Sequence, residues 1–214
     1  MIEHVWENAI NSQLGAVIVA TDSQEIIDVI QRRNGIAYMT SENHQSGTDR
    51  IYEALKIFDH NRAIEKVINL QGDLPTIDQF ALKEVLNLLD SAEVDIGTLV
   101  APFKDFDEMQ KAQYVKAECY FKSNSIKARA NNFTRIANKE KMENLYHHVG
   151  IYSYRREALE KFVKLKQTNR EKEEKLEQLR AIENNMHIEV SLINSPILGI
   201  DTQEDLDNIR EIQK

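Results

Sequence analysis

Apolar residues along this chain fall into two kinds of pattern. Some recur every three or four positions: Ile2, Val5, Trp6, Ala9 and Ile10, with Glu3, Glu7 and Asn8 opposite, predict an amphipathic helix at the start. Others form short unbroken runs. Ala16-Val17-Ile18-Val19-Ala20 and Val67-Ile68-Asn69-Leu70 each read as a strand covered on both faces, the first running out into Thr21-Asp22 and the second into Gln71-Gly72-Asp73-Leu74-Pro75. Less sharply bounded runs predict strands over 95–100, 114–121, 148–154 and 188–193. Helical stretches lie between them. One covers 23–33, behind the capping-box spacing of Asp22 and Glu25, and another carries Ile51, Ala54, Leu55 and Phe58. A third has Phe80, Val85, Leu86 and Leu89 on its apolar face behind Thr76 and Gln79, and a last one follows Asp201-Thr202-Gln203-Glu204. The densely charged run 164–180 reads mostly as a solvated face, with Glu171 and Lys175 in favourable i,i+4 order. Strands and helices alternate, which predicts an α/β fold with a mostly parallel sheet and helices on both faces.

Composition narrows the function classes. A chain of 214 residues, 42% of them hydrophobic, fits a single domain over 1–214. A formal charge of -8 with no basic block argues against a nucleic-acid or anionic-membrane surface, while leaving room for a local phosphate site. Cys119 is the sole cysteine, so neither an intrachain disulfide nor a cysteine-rich zinc site can form. No apolar run approaches the ~20 residues of a membrane span. The amino terminus lacks a basic segment followed by an apolar one, and the cytoplasm is the expected compartment.

Candidate chemistry gathers at two acidic positions and one loop. Asp73 and Asp201 each follow an apolar stretch containing a glycine and each precede a helix, at the strand ends where open α/β sheets place ligands. On one sheet edge they would face a common cleft. Two carboxylates ~4 Å apart repel by ~4 kcal/mol at an effective dielectric near 20, and a divalent cation removes that penalty; oxygen ligands and a phosphate substrate make Mg²⁺ the expected ion. A turn role for Asp73 and an N-cap role for Asp201 fit the same residues. In the polar loop 44–50, Gly47 allows close backbone approach, Ser46 and Thr48 offer hydroxyls, and Arg50 can meet a phosphate; a capped helix start is the competing reading. His147 and His148 are adjacent in a strand, so only one is expected to point inward. There is no Ser-His-Asp arrangement and no activated cysteine, and a covalent intermediate has no nucleophile.

Five segments, His44-Gln45-Ser46-Gly47-Thr48-Asp49-Arg50, Asn69-Leu70-Gln71-Gly72-Asp73-Leu74-Pro75, His148-Val149-Gly150-Ile151-Tyr152, Leu176-Glu177-Gln178-Leu179-Arg180 and Gly199-Ile200-Asp201-Thr202-Gln203-Glu204-Asp205-Leu206, together resemble the 3-deoxy-manno-octulosonate (Kdo) cytidylyltransferases in order and spacing. The resemblance implies a three-layer, Rossmann-like nucleotidyltransferase fold and a cytoplasmic, homodimeric, Mg²⁺-dependent enzyme of lipopolysaccharide synthesis. It would join CTP and Kdo into CMP-Kdo and pyrophosphate, the anomeric hydroxyl attacking the α-phosphorus directly. By match to the motifs, Asp73 and Asp201 are the catalytic metal ligands, and Ser46, Gly47, Thr48 and Arg50 contact CTP. Gln71, His148, Tyr152, Glu177 and Gln178 line the Kdo site, with a small dimerisation and sugar-binding part around 102–165. Leu74 stands where the family usually has Glu, and the family's Ser-Arg-Ala segment is faint around Arg129-Ala130. The segment Met1 to Glu7 resembles one that in the family follows a first strand and an Arg/Ser/Lys-rich loop. The expectation is therefore an amino-terminally shortened chain in which the strands ending at Asp22 and near Gly72 each have an unpaired edge. The alternatives are a non-catalytic remnant or dimerising protein, or a cytidylyltransferase for another sugar acid such as a sialic acid.

Overall fold

The computed structural model describes residues 1–194, 197, 199, 200 and 207. Its first half runs α1 (Ile2–Asn11), β1 (Ile18–Thr21), α2 (Gln24–Gln31), β2 (Ile36–Met39), α3 (Gly47–Phe58), β3 (Lys66–Leu70), α4 (Gln79–Asn87) and β4 (Ile96–Ala101). There follow α5 (Phe106–Gln110), β5 (Lys116–Cys119), β6 (Lys127–Thr134), β7 (Leu145–Arg155), α6 (Arg156–Phe162), α7 (Asn169–Glu174), α8 (Gln178–Glu183) and β8 (Ile188–Leu192). No helix among the described residues is long and apolar enough to cross a membrane. The expected terminal helix lies outside the described residues.

The strands form two sheets. β1 and β2 make a parallel pair; the other six lie in the order β3-β7-β4-β8-β6-β5, and β5 also pairs β7, which closes five of them into a ring. Among the described residues only β1–β2 and β4–β8 are parallel, while the β3–β7, β4–β7, β5–β6, β5–β7 and β6–β8 pairs are antiparallel. The fold is α/β, but the sheet is mixed and not mostly parallel. The reason lies in the connections: the links from β5 to β6 and from β6 to β7 are too short for a crossover helix, so those strands must return antiparallel. Ring closure also corrects the expectation for the histidine pair. Both His147 and His148 are buried, because both faces of β7 are covered there.

Two clusters form the core. One packs Phe133, Tyr154, Ile188 and Val190 against Leu159, Phe162 and Leu179 of the carboxyl-terminal helices. The other seats Ala81, Leu82 and Val85 of α4 on Leu99, Val149 and Ile151. Gly97 permits that seating, since a Cβ there would come within 2.9 Å of the Val85 carbonyl oxygen. Within the ring Lys116 is fully buried; its ammonium donates to the carbonyls of Lys111, Tyr114 and Arg135 at 2.9, 2.8 and 2.9 Å, and burial holds its pKa down. Nearby Cys119 is sealed, and burial pushes its thiol up to about 12.

Local details depart from the sequence reading in instructive ways. Helix α2 starts at Ser23 with no side-chain cap, because Asp22 is engaged by Arg50; α4 is capped by Asp78, not Thr76, with Asp78 Oδ1 accepting from the Ala81 amide at 2.7 Å. The true capping box joins Thr168 and Glu171. Lys175 ends α7 with φ 53°, so it makes no helical pair with Glu171. Instead Glu171 and Arg180 are both buried and bonded to each other, Nε to Oε2 at 3.0 Å, within a run expected to be solvated.

The strands expected to be covered on both faces are only half-buried at Ile18, Ala20, Val67, Ile68 and Leu70. Among the described residues β1 and β3 each have one edge without a strand partner, and between them lies a cavity of about 560 Å³. Its walls are Val5, Trp6 and Ala9 of α1 on one side and Ile51, Ala54 and Leu55 of α3 on the other.

Candidate active site

Three strand ends converge on the first turn of α3. Arg50 donates from Nη2 to Asp22 Oδ2 at 2.6 Å, just past β1, and from Nη1 to Thr40 Oγ1 at 2.8 Å, just past β2. The backbone of Gly47 lies against Gln71, just past β3: a Cβ there would sit 3.1 Å from Gln71 Nε2. Ser46 caps the helix, its Oγ accepting from the Asp49 amide at 3.3 Å. The cap and the candidate phosphate loop are therefore one structure, for a capped first turn still presents backbone N–H groups and the positive end of the helix dipole.

Thr48 is the hub. Fully buried, it donates from Oγ1 to Glu177 Oε1 at 2.7 Å and accepts from Asn69 Nδ2 at 3.3 Å, with Tyr154 OH also 3.3 Å away. One donor and two acceptor positions are all a hydroxyl has, so the Tyr154 phenol donates here and the Thr48 hydroxyl is saturated. Asn69 in turn accepts from Gln71 Nε2 at 3.2 Å. The chain Gln71–Asn69–Thr48–Glu177 thus ties the loop at the end of β3 to the turn that opens α8.

Glu177 has one oxygen fixed and one not. Oε2 is enclosed without a hydrogen-bond partner among the described residues. Burial pushes its carboxyl above the ordinary range, against the opposing hydrogen bond from Thr48 and the charge of Arg180. Gln178, the next residue, is buried. An enclosed carboxyl oxygen lacking a partner is suited to a hydroxyl-bearing ligand.

His148 and Tyr152 lead away from Glu177 along β7. Their rings are 5.4 Å apart, and Tyr152 lies 6.1 Å from Tyr154. Thr98 Oγ1 donates to the Ile151 carbonyl at 2.7 Å and lies 3.0 Å from His148 Nε2, which places the imidazole proton on Nε2. Burial, with a smaller contribution from His147, lowers the His148 pKa to about 3, so it stands as a neutral ring and not as a cation for a carboxylate. His147, lowered to about 4 mainly by burial, stacks on Phe103 on the other side of the strand.

Asp73 follows β3 directly. Its carbonyl accepts from the Ile200 amide at 3.0 Å, and a Cβ on Gly199 would lie 3.5 Å from its Oδ2. Asp201 lies outside the described residues. A hard carboxylate at a strand end, with glycine leaving room beside it, fits Mg²⁺ chemically. Among the described residues no three His, Cys, Asp or Glu side chains cluster to hold a metal ion.

The structure therefore joins Ser46, Gly47, Thr48, Gln71 and Glu177 into one network, sets Tyr152 and His148 beside it, and turns Arg50 toward Asp22 and Thr40. Asn69 and Tyr154, which complete the network, were not anticipated. Asn69 carried a signal: it is the polar residue inside the apolar run Val67 to Leu70.

Known proteins resemble the chain closely. Residues 1–188 match the family model described as cytidylyltransferase. The 3-deoxy-manno-octulosonate cytidylyltransferases of Brucella anthropi and Brucella abortus are each 44% identical over 210 residues, covering 98% of this chain and 84% of theirs. Among solved structures, a CMP:2-keto-3-deoxy-manno-octonic acid synthetase complexed with CTP superposes with a TM-score of 0.85 at 30% identity, covering 99% of this chain and 86% of that one. A 4-diphosphocytidyl-2C-methyl-D-erythritol synthase from Anaerococcus prevotii, 15% identical with a TM-score of 0.62 and covering 100% of this chain and 89% of its own, shares the fold.

Proposed function

Since the chain belongs to the 3-deoxy-manno-octulosonate cytidylyltransferase family, we propose that it transfers the cytidylyl group of CTP to Kdo, releasing pyrophosphate and supplying CMP-Kdo for lipopolysaccharide synthesis. The anomeric oxygen of Kdo forms a bond to the α-phosphorus as the bond to the pyrophosphate oxygen breaks, and the hydroxyl proton leaves. No protein nucleophile takes part, in keeping with the absence of an activated serine or cysteine. What the protein supplies is alignment of two anionic substrates.

The Thr48–Glu177 hydrogen bond of 2.7 Å supports this reading best. It binds the first turn of α3, which receives the cytidine nucleotide at Ser46, Gly47 and Thr48, to the turn that meets the sugar acid at Glu177 and Gln178. Gln71, Tyr152 and His148 line the sugar side, His148 as a neutral ring whose one N–H is taken by Thr98. Arg50 acts from behind, holding the ends of β1 and β2 to α3. Asp73, with Asp201, would hold Mg²⁺, which would supply neutralisation of the charge developing on the phosphates. The enzyme works in the cytoplasm as a homodimer joined through the 102–165 part, where Tyr120, Ile126, Ile136 and Met142 are exposed.

The test is pyrophosphate release by the purified protein with CTP, Mg²⁺ and either Kdo or a sialic acid. Release with Kdo alone is expected; equal release with the sialic acid would overturn the sugar assignment, and none with either would overturn the activity.

A further inference from the structure

The ladder between β4 and β7 is interrupted beside His148. Thr98 pairs with Tyr152 and Leu99 with Val149, so Gly150 and Ile151 have no counterpart on β4. This bulge gathers the chain. Residues four apart on a regular strand lie ~13 Å from each other, yet the rings of His148 and Tyr152 are 5.4 Å apart. The same bulge turns the carbonyls of Val149 and Ile151 toward one hydroxyl, Thr98 Oγ1, at 3.2 and 2.7 Å. Thr98 is fully buried and has a single proton to give. With that proton committed to the carbonyls, the third neighbour of the hydroxyl, His148 Nε2 at 3.0 Å, must be the donor. In the other tautomer a bare Nε2 would face a hydroxyl with no proton left, or both carbonyls would face oxygen lone pairs. The imidazole makes no other hydrogen bond among the described residues. Nδ1, with its lone pair, is the polar atom the ring keeps for a ligand.

We propose that Thr98 is a positioning residue that locks His148 in the Nε2–H tautomer, so that Nδ1 accepts a hydrogen bond from a hydroxyl of the sugar acid and the substrate carboxylate is kept off this ring. The inference rests on the assignment of His148 to the sugar side and deepens it. A carboxylate can only accept, and opposite Nδ1 it would meet another lone pair. Burial holds the ring's pKa down at about 3, so near neutral pH it carries no second proton to bridge the two. A hydroxyl donates to Nδ1 without that obstacle. Phe133, edge-on at 5.1 Å, and Tyr152 hold the ring from its sides, and the Thr98 bond fixes which nitrogen faces outward. Thr98 itself has no surface to offer a substrate and acts only through His148.

The test is ¹⁵N spectroscopy of the histidine-labelled full chain, with the His148 signals identified by their loss in His148→Gln, beside steady-state turnover with CTP and Kdo. The expected free protein has a protonated Nε2 and a bare Nδ1, and added Kdo shifts the Nδ1 signal while that nitrogen stays unprotonated. Thr98→Val should bring up the Nδ1–H tautomer and raise KM for Kdo about tenfold, with kcat and KM for CTP changed less than about twofold, and Thr98→Ser should restore both the spectrum and KM. A protonated Nδ1 in the free protein would overturn the proposal, as would a doubly protonated ring with Kdo bound, the sign of a carboxylate partner. So would an unchanged tautomer in Thr98→Val, or a Thr98→Ser variant no better than the valine one. If Kdo leaves Nδ1 unmoved while pyrophosphate is released normally, this inference alone falls; if no pyrophosphate is released either, the proposed activity falls with it. If Thr98→Val does not fold, the wild-type spectra with and without Kdo still decide.

Discussion

Replacing Thr48 by valine keeps the side chain's shape and removes one hydroxyl. Three groups then lose a partner at once: Glu177 Oε1, Asn69 Nδ2 and Tyr154 OH. A buried polar group left unsatisfied costs ~1–3 kcal/mol, and the three share one centre and relax together, so ~2–5 kcal/mol is expected in total. That is a large part of a domain stability of ~5–15 kcal/mol. Thr48→Ser is the control: it keeps the hydroxyl and loses one methyl group, a cost of ~0.8 kcal/mol. Urea unfolding followed by circular dichroism should separate the two by more than ~1 kcal/mol. In turnover, Thr48→Val should raise KM for Kdo about tenfold, the equivalent of ~1.4 kcal/mol, with a smaller change for CTP, since the side chain faces Glu177 and not the nucleotide loop. Equal stability of the two variants, or equal KM for Kdo, would refute the claim that this hydroxyl positions Glu177.

Glu177→Gln should raise KM for Kdo and also change the pH dependence of stability. The folded carboxyl holds its proton more tightly than the unfolded one, so the native state loses stability as pH rises from the ordinary carboxylate range through the raised value; the variant should lack that fall, as urea midpoints between pH 4 and 8 will show. His147 and His148 act with the opposite sign. Lowered to about 4 and about 3, they are neutral in the fold while the unfolded chain takes up protons near pH 6.5, so their contribution is complete above that pH and is lost on acidification; His147→Phe should flatten the loss. Arg180→Met leaves Glu171 buried without its partner and should cost ~3–5 kcal/mol, much of it recovered by adding Glu171→Gln. Asp73→Asn should lower kcat by about a hundredfold or more, beyond the ~10–100-fold typical of an outer-shell partner, and a variant that keeps full Mg²⁺-dependent turnover would remove Asp73 from the metal site.

The parts of the fold legible in the sequence are those with a strong apolar signal. Strands β1, β3, β4 and β8 and helix α1 were readable because their runs are aliphatic or evenly spaced. Strand β6 was not, because two of the three residues it buries, Ala128 and Ala130, are too small to mark a pattern, Phe133 stands alone near its end, and its other positions are polar or charged. Nor would a lysine suggest a fully buried position; three backbone carbonyls accept the Lys116 ammonium, those of Lys111 and Tyr114 from the turn just before it and that of Arg135 from beyond β6, which only the folded chain brings alongside. Strand direction was misjudged for a similar reason. Alternating elements imply parallel pairing only where a helix carries the chain back, and no local signal announced the short returns around β5 and β6. In the site, motif residues such as Gly47, Thr48 and Glu177 could be named beforehand, but their mutual contact spans residues 48 to 177 and had no local trace.

Cys119 gives the molecule a built-in reporter. The thiolate is the reactive form, and a thiol held near 12 inside the ring of strands offers almost none of it at neutral pH. An alkylating reagent must therefore wait until β5 separates from β6 and β7. As this is the only cysteine in 214 residues, each labelled molecule records one opening of the ring, and the labelling rate clocks that event alone, independent of turnover and of movement around β1 and β2.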